Sequence, residues 1–207
     1  MTQLTEETFE KTLHSFVRSD RIDLRGVTFI DPYGMVGLLE IGELCLLEDV
    51  KKTILLPRSP DVLSYLGRMD FFSHARRYFL LEPMQPPESR GGSGSDVLLE
   101  ITPIERANDI HFIVGRVEER AEAILATHLR YDARAISGFI VALSEICQNI
   151  VEHSENKGFV GIQKYRYTGM EKNIVKIAVM DAGIGFRRSL SSRFKLSGDM
   201  EAIEKAL

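Results

Sequence analysis

The chain of 207 residues lacks most of the features that would place it at once. It has only two cysteines, Cys45 and Cys147, each on the apolar side of a predicted helix. Two thiols so placed build no disulfide framework; they read as buried and reduced, which suits a reducing compartment. An excess of positive charge is also missing: 26 Lys and Arg against 30 Asp and Glu give −4. That balance excludes the electrostatic footprint of a nucleic-acid or anionic-membrane binder. The start, MTQLTEETFEK, is acidic and polar and so is no signal peptide. The longest apolar stretch, VGLLEIGELCLL, is broken by Glu40 and Glu43, and no segment is expected to span a bilayer. No E-x-x-H or H-x-x-x-H spacing exists, which argues against a site built for a metal alone. What remains, 44% hydrophobic and 27% charged, can bury an ordinary core, and a cytoplasmic protein is expected.

The clearest boundary is PMQPPESRGGSGSD over residues 83–96, with three prolines, three glycines and three serines. Such a composition cannot bury enough surface to order itself, and a flexible coil of this size spans roughly 20 Å. Its GGSGS stretch lacks the following Lys and the flanking strand of a phosphate loop. The expected organisation is therefore a domain over 1–82, a linker over 83–96 and a second domain over 97–207.

In the first domain, strands and helices alternate, which argues an α/β architecture. A helix is expected over 5–19, with Thr5 as its cap. One strand is expected over 22–30. Asp31 and Pro32 then open an apolar helix to about Asp49, Asp as the cap and Pro in the first turn. A strand near 53–57, a helix from Ser59-Pro60 to about His74 and a strand near 78–81 complete the pattern. The motifs D-L-x-G at Asp23–Gly26 and I-D-x-x-G at Ile30–Gly34 resemble those of the STAS domain, the fold of anti-anti-sigma factors, over roughly residues 20–82. In that family the hydroxyl following the Asp accepts phosphate. Here the corresponding positions are Pro32 and Tyr33, so the resemblance implies a domain that is not phosphorylated at the usual place.

The second domain is expected to hold a strand over 97–104, a helix from Ala107 to about Leu129, and a further helix capped by Asp132. Strands over 158–167 and 173–180, joined by a turn at Thr168-Gly169, would follow. Helices and an antiparallel pair make an α+β two-layer sandwich. The third of these elements carries LSEICQNIVEHS over 143–154. An α-helix turns about 100° per residue, so Glu145, Asn149, Glu152 and His153 fall within about 100° of arc. Ile136, Phe139, Ile140, Leu143, Ile146, Cys147 and Ile150 fill the other side. A solvated helix face explains such a cluster, and so does the wall of a binding site. Farther on, the second strand delivers Asp181-Ala-Gly-Ile-Gly to its tip. Gly183 and Gly185 there permit a tight turn and a close approach to a ligand, and Asp181 can accept two hydrogen bonds. A plain hairpin turn is the alternative.

E-x-x-x-N-x-x-E-H followed by D-x-G-x-G resembles the GHKL nucleotide-binding fold shared by gyrase B, a heat-shock chaperone, histidine kinases and MutL. The resemblance implies bound ATP and Mg²⁺, with Asn149 holding the ion, Asp181 anchoring the adenine, Gly183 and Gly185 in the turn, His153 at the pocket edge and Glu145 as the catalytic base. The local pattern A-x-x-E-x-x-x-N-x-x-x-H, from Ala142 to His153, is similar to anti-sigma serine kinases. It implies a STAS-domain or sigma-factor-type partner; from the charge balance, no direct contact to nucleic acid or membrane is expected. In that family a lid, a second glycine-rich stretch and a last strand follow the turn, so this domain is expected to be incomplete. An enzyme and a non-enzymatic partner-binding module in which the STAS-like half locks the ATPase-like half both stay open, as does a homodimer.

Overall fold

The computed structural model describes residues 2–84, 97–121, 133–166 and 173–206. Among them are eight helices and three sheets, a mixed α/β architecture. In the N-terminal part, β1 (Thr2–Leu4), α1 (Phe9–Arg18), β2 (Arg21–Asp23), β3 (Val27–Ile30), α2 (Pro32–Leu47), β4 (Lys52–Leu55), α3 (Pro60–Arg68), α4 (Phe71–Tyr78) and β5 (Phe79–Glu82) follow in order. Strands β2, β4 and β5 form one parallel sheet and β1 pairs parallel to β3. Parallel neighbours need a crossover connection; α2 supplies it between β2 and β4, and α3 with α4 between β4 and β5.

The expected first helix starts late. Leu4 is fully buried and extended beside Ile30, and the first turn is closed by Thr8, whose hydroxyl accepts the Thr5 N–H at 3.0 Å. The single strand expected over 22–30 is two, because the Val27 N–H bonds back to the Leu24 carbonyl (2.9 Å) and folds 24–27 into a turn. The helix expected to run to His74 breaks at Asp70, which takes a left-handed conformation with φ 58°. The start of α2 is as expected: Asp31 accepts the Gly34 N–H at 3.1 Å, and Pro32 occupies the first turn.

The second part contains β6 (Val97–Ile104), α5 (Ala107–Ala121), α6 (Ala133–His153), β7 (Gly158–Arg166), β8 (Asn173–Asp181), α7 (Gly185–Leu190) and α8 (Asp199–Ala206). The expected cap Asp132, the turn at Thr168-Gly169 and most of the expected linker lie outside the described residues. Strands β6, β7 and β8 form an antiparallel sheet in that order. On one side, Leu98, Val160 and Ile162 pack under α5 and α6 with Ile113, Val117, Leu143, Cys147 and Ile150. Ile146, expected on that apolar side, is instead exposed. By length and composition alone α6 could cross a membrane, contrary to the expectation that no segment could. Only one side of it is apolar and covered; Arg134, Glu145, Gln148 and Asn149 lie on the exposed remainder.

The opposite side of this sheet is covered by the N-terminal part. Helix α2 lies between the two, touching β1 and β3 as well as β7 and β8. Val97, Ile101, Phe159 and Ala178 belong to the same core cluster as Leu38, Leu39 and Ile54. Period-two alternation explains how one sheet serves two layers: Phe159 and Gly161 point one way, Val160 and Ile162 the other. Polar contacts fasten the junction. Ile101 donates its N–H to the Met69 carbonyl at 2.9 Å, His74 Nε2 donates to the Ile101 carbonyl at 3.0 Å, and the Tyr65 and Tyr165 hydroxyls lie 2.8 Å apart.

Phe159 sits at the centre of this junction, edge-on to the rings of His74 (5.7 Å) and Tyr78 (6.2 Å) and 1% exposed. Truncating a buried aromatic loses its transfer free energy and leaves a cavity. Phe159→Ala should cost about 3–5 kcal/mol in urea denaturation. A loss within about 0.5 kcal/mol, the range of ordinary surface changes, would mean that the ring is not buried between the two parts.

Candidate functional site

The C-terminal end of α6 is tied to the turn after β8. The Ser154 carbonyl accepts the Ile184 N–H at 2.9 Å, and Asn156 Nδ2 donates to the Ala182 carbonyl at 3.2 Å. Ser154 Oγ accepts the Asn156 N–H at 3.0 Å, which fixes the amide that makes the second tie. The polar end of the helix and the D-x-G-x-G turn are thus held side by side. Gly183 is required by contact: a Cβ there would lie 2.4 Å from both Cβ and the carbonyl oxygen of Ser154. Gly185 is required by conformation, with φ 71° at the start of α7.

Asp181, at the end of β8, is exposed, and its Oδ1 accepts the Gly183 N–H at 2.8 Å. This bond shapes the turn itself and leaves Oδ2 without a partner among the described residues. His153 lies beside Ser154, with its Nε2 3.7 Å from Glu152 Oε2; Glu152 also accepts from Gln148 Nε2. At 1.5 Å rise per residue, Asn149 is about 6 Å and Glu145 about 12 Å back along the helix from His153. Both are exposed, and neither side chain hydrogen bonds to another described residue. The structure therefore gathers His153, Asp181, Gly183 and Gly185 at one end of α6. Asn149 and Glu145 extend from it along the open side of the helix. Among the described residues no group of three or more His, Cys, Asp or Glu side chains is placed to hold a metal ion.

Sequence reasoning missed a second set of charges, on the other side of the sheet. Lys176 of β8 reaches across to Asp31 Oδ2 at 3.0 Å and to both carboxylate oxygens of Glu6 at 2.7 Å. Asp31 is fully buried, and burial pushes its carboxyl up, with the hydrogen bond to Glu6 acting the same way. Hydrogen bonds with Asp31 and Lys176 hold Glu6 well below the usual carboxylate range. Lys157, just before β7, pairs with Glu43 Oε2 at 2.9 Å and lies 5.4 Å from the centre of the Tyr78 ring. Burial lowers the Lys157 ammonium, but hydrogen bonds with Tyr78 and Glu43 outweigh it and leave the group raised. Glu40, one turn before Glu43, is 7% exposed, and neither of its oxygens has a hydrogen-bond partner among the described residues. The available signal was the pair Glu40 and Glu43, three residues apart in an otherwise apolar helix.

Comparison of the chain with protein-family models, curated proteins and solved structures gives no match.

The tie between α6 and the turn can be broken at one atom. In Gly183→Ala the added methyl meets the Ser154 backbone, so the turn must move. Overpacking of this kind costs typically about 1–3 kcal/mol, and that loss is expected in urea denaturation. A variant as stable as the parent would show that the turn does not lie against Ser154.

Proposed function

We propose that the protein is a regulatory ATP-binding protein of the anti-sigma serine kinase type. In this reading the N-terminal half is a degenerate STAS-like domain, and a separate STAS or sigma-type protein is bound or phosphorylated. The observation that carries the reading is the tie through Ser154 and Asn156, which places the polar end of α6 beside the Asp181 turn. Two motifs separated by about thirty residues in sequence thereby share one edge of the second layer.

The residues present fit Mg-ATP by their chemistry. Mg²⁺ is a hard cation that is usually held by one or two protein oxygens, with phosphates and water filling the rest. The Asn149 amide oxygen would serve as that ligand, and it adds no charge to offset the ion's own. Asp181 keeps Oδ2 free to accept from an exocyclic amine while Oδ1 shapes the turn. Gly183 and Gly185 keep the backbone of that turn bare. When bound, the nucleotide supplies the phosphoryl group for transfer. Glu145, unpartnered and two turns along the helix from His153, takes the proton of a partner's serine hydroxyl or of a water. His153 borders the site.

A second reading draws on a different observation. The start of α2, where a STAS protein would carry its phosphate, is closed. Asp31 and Pro32 are buried, and the Tyr33 hydroxyl donates to Glu10 Oε1 at 2.6 Å. In this reading the protein is a binding module whose N-terminal half locks the ATPase-like half.

Ligand that binds only the native state stabilises it by about 2.7 kcal/mol at a hundredfold excess over Kd. Millimolar Mg-ATP should therefore raise the melting temperature of the wild type. Asn149→Ala should lose the Mg-dependent part of that rise, and Asp181→Asn should weaken it. Glu145→Gln should keep the rise while phosphate transfer to a serine-bearing STAS partner falls by about 10²–10⁴-fold. A wild-type protein whose melt ignores Mg-ATP overturns the nucleotide reading. Binding of nucleotide and partner with neither transfer nor hydrolysis establishes the module.

A further inference from the structure

Glu40 lies on the face of α2 that packs against β7 and β8, and its carboxyl oxygens have no hydrogen-bond partner among the described residues. The groups that face it are few. Glu43 is on its own helix, Asp181 ends β8, Lys157 precedes β7, and the Phe159 backbone N–H faces the carboxyl without forming a hydrogen bond of good geometry. The only cation among them is committed: Lys157 is paired with Glu43 at 2.9 Å, with Glu105 Oε1 a further 3.8 Å contact. An ionised Glu40 would therefore sit buried between two carboxylates without a cation of its own. A buried charge without a partner is costly, so such a group stays neutral or the structure around it yields.

We propose that Glu40 is a proton-operated latch between the two parts of the protein: neutral, it lets α2 pack against the end of β8, and ionised, it loosens that contact beneath Asp181. The latch is independent of what binds at Asp181 and goes beyond the nucleotide reading. Burial first, and then the charges of Asp181 and Glu43, push the Glu40 carboxyl up to about 9 from an ordinary 4.5. In the unfolded chain the group ionises near its ordinary value, while in the folded one it keeps its proton. The native state thus binds more protons across this interval, and stability falls as pH rises. The contribution is complete below about 4.5 and is lost by about 9.

Two measurements, made without nucleotide, test this. The first compares wild type with Glu40→Gln, which keeps the shape and removes the proton. From pH 5 to pH 8 the folding equilibrium constant of the wild type should fall relative to the variant, by up to about tenfold per pH unit. Asp181→Asn, which keeps an oxygen for the Gly183 N–H, should end this divergence at a lower pH. Removing that negative charge makes ionisation of Glu40 easier, so its native titration moves down and the fall ends at a lower pH with a smaller total. The second measurement needs no variant: the carboxyl carbon of Glu40, followed by magnetic resonance in the full chain, should titrate well above the ordinary glutamate value. Parallel stability profiles for wild type and Glu40→Gln, or a Glu40 carboxyl that titrates near 4.5 in the folded protein, would overturn the latch.

Discussion

From Gly34 to Glu43, helix α2 has no exposed residue. A helix that is apolar all round is stable in water only when other elements cover every side. Here the parallel strands, α1 and α4 cover one side, and β7 with β8 covers the other. Neither sheet suffices alone. The parallel arrangement of β2, β4 and β5 would leave half of α2 in water, and the antiparallel sheet would leave Phe159, Gly161 and Ala178 uncovered. Association of the two parts follows from this shared need, since burial of apolar surface is the main favourable term in folding.

The same helix carries three carboxyl groups into a region of low dielectric, where each must be answered. Asp31 is answered by Lys176 and Glu43 by Lys157, both supplied by the second part of the chain. Among the described residues, Glu40 is answered by no cation of its own. Strand β8 links these groups to the candidate site: Lys176 holds the start of α2, Val179 faces the second core, and Asp181 shapes the turn that rests on Ser154. A shift of α2 would thus be felt at Asp181 through one rigid strand.

Much of this was legible in the sequence. The cap at Asp31 with Pro32 behind it located the start of α2, and the alternation over 158–167 and 173–180 located two antiparallel strands. The polar arc of Glu145, Asn149 and His153 is exposed, as the helical period required. Other features were hidden for identifiable reasons. The strand at Leu4 goes unread because its partner, Ile30, is 26 residues away. Asp70 gives no local sign that it will adopt a left-handed conformation and split one helix into two. Ile146 has the periodicity of a core residue, but the layer above the sheet does not extend over it. The largest omission was the junction itself. Glu40 and Glu43 look like interruptions of an apolar run until Lys157, more than a hundred residues later, is seen against them. Long-range pairing of this kind leaves no periodic trace.

The central claim is that the two parts form one cooperative structure through α2, and the contact between Asp31 and Lys176 reports on it most directly. A double-mutant cycle with Asp31→Asn, Lys176→Met and the combined variant isolates their interaction from the separate cost of each change. Because Asp31 is fully buried, the account predicts a coupling free energy above about 1 kcal/mol in urea denaturation near neutral pH. Additivity within about 0.5 kcal/mol would place the two residues apart in solution and contradict the docking of α2 on the β6–β8 sheet.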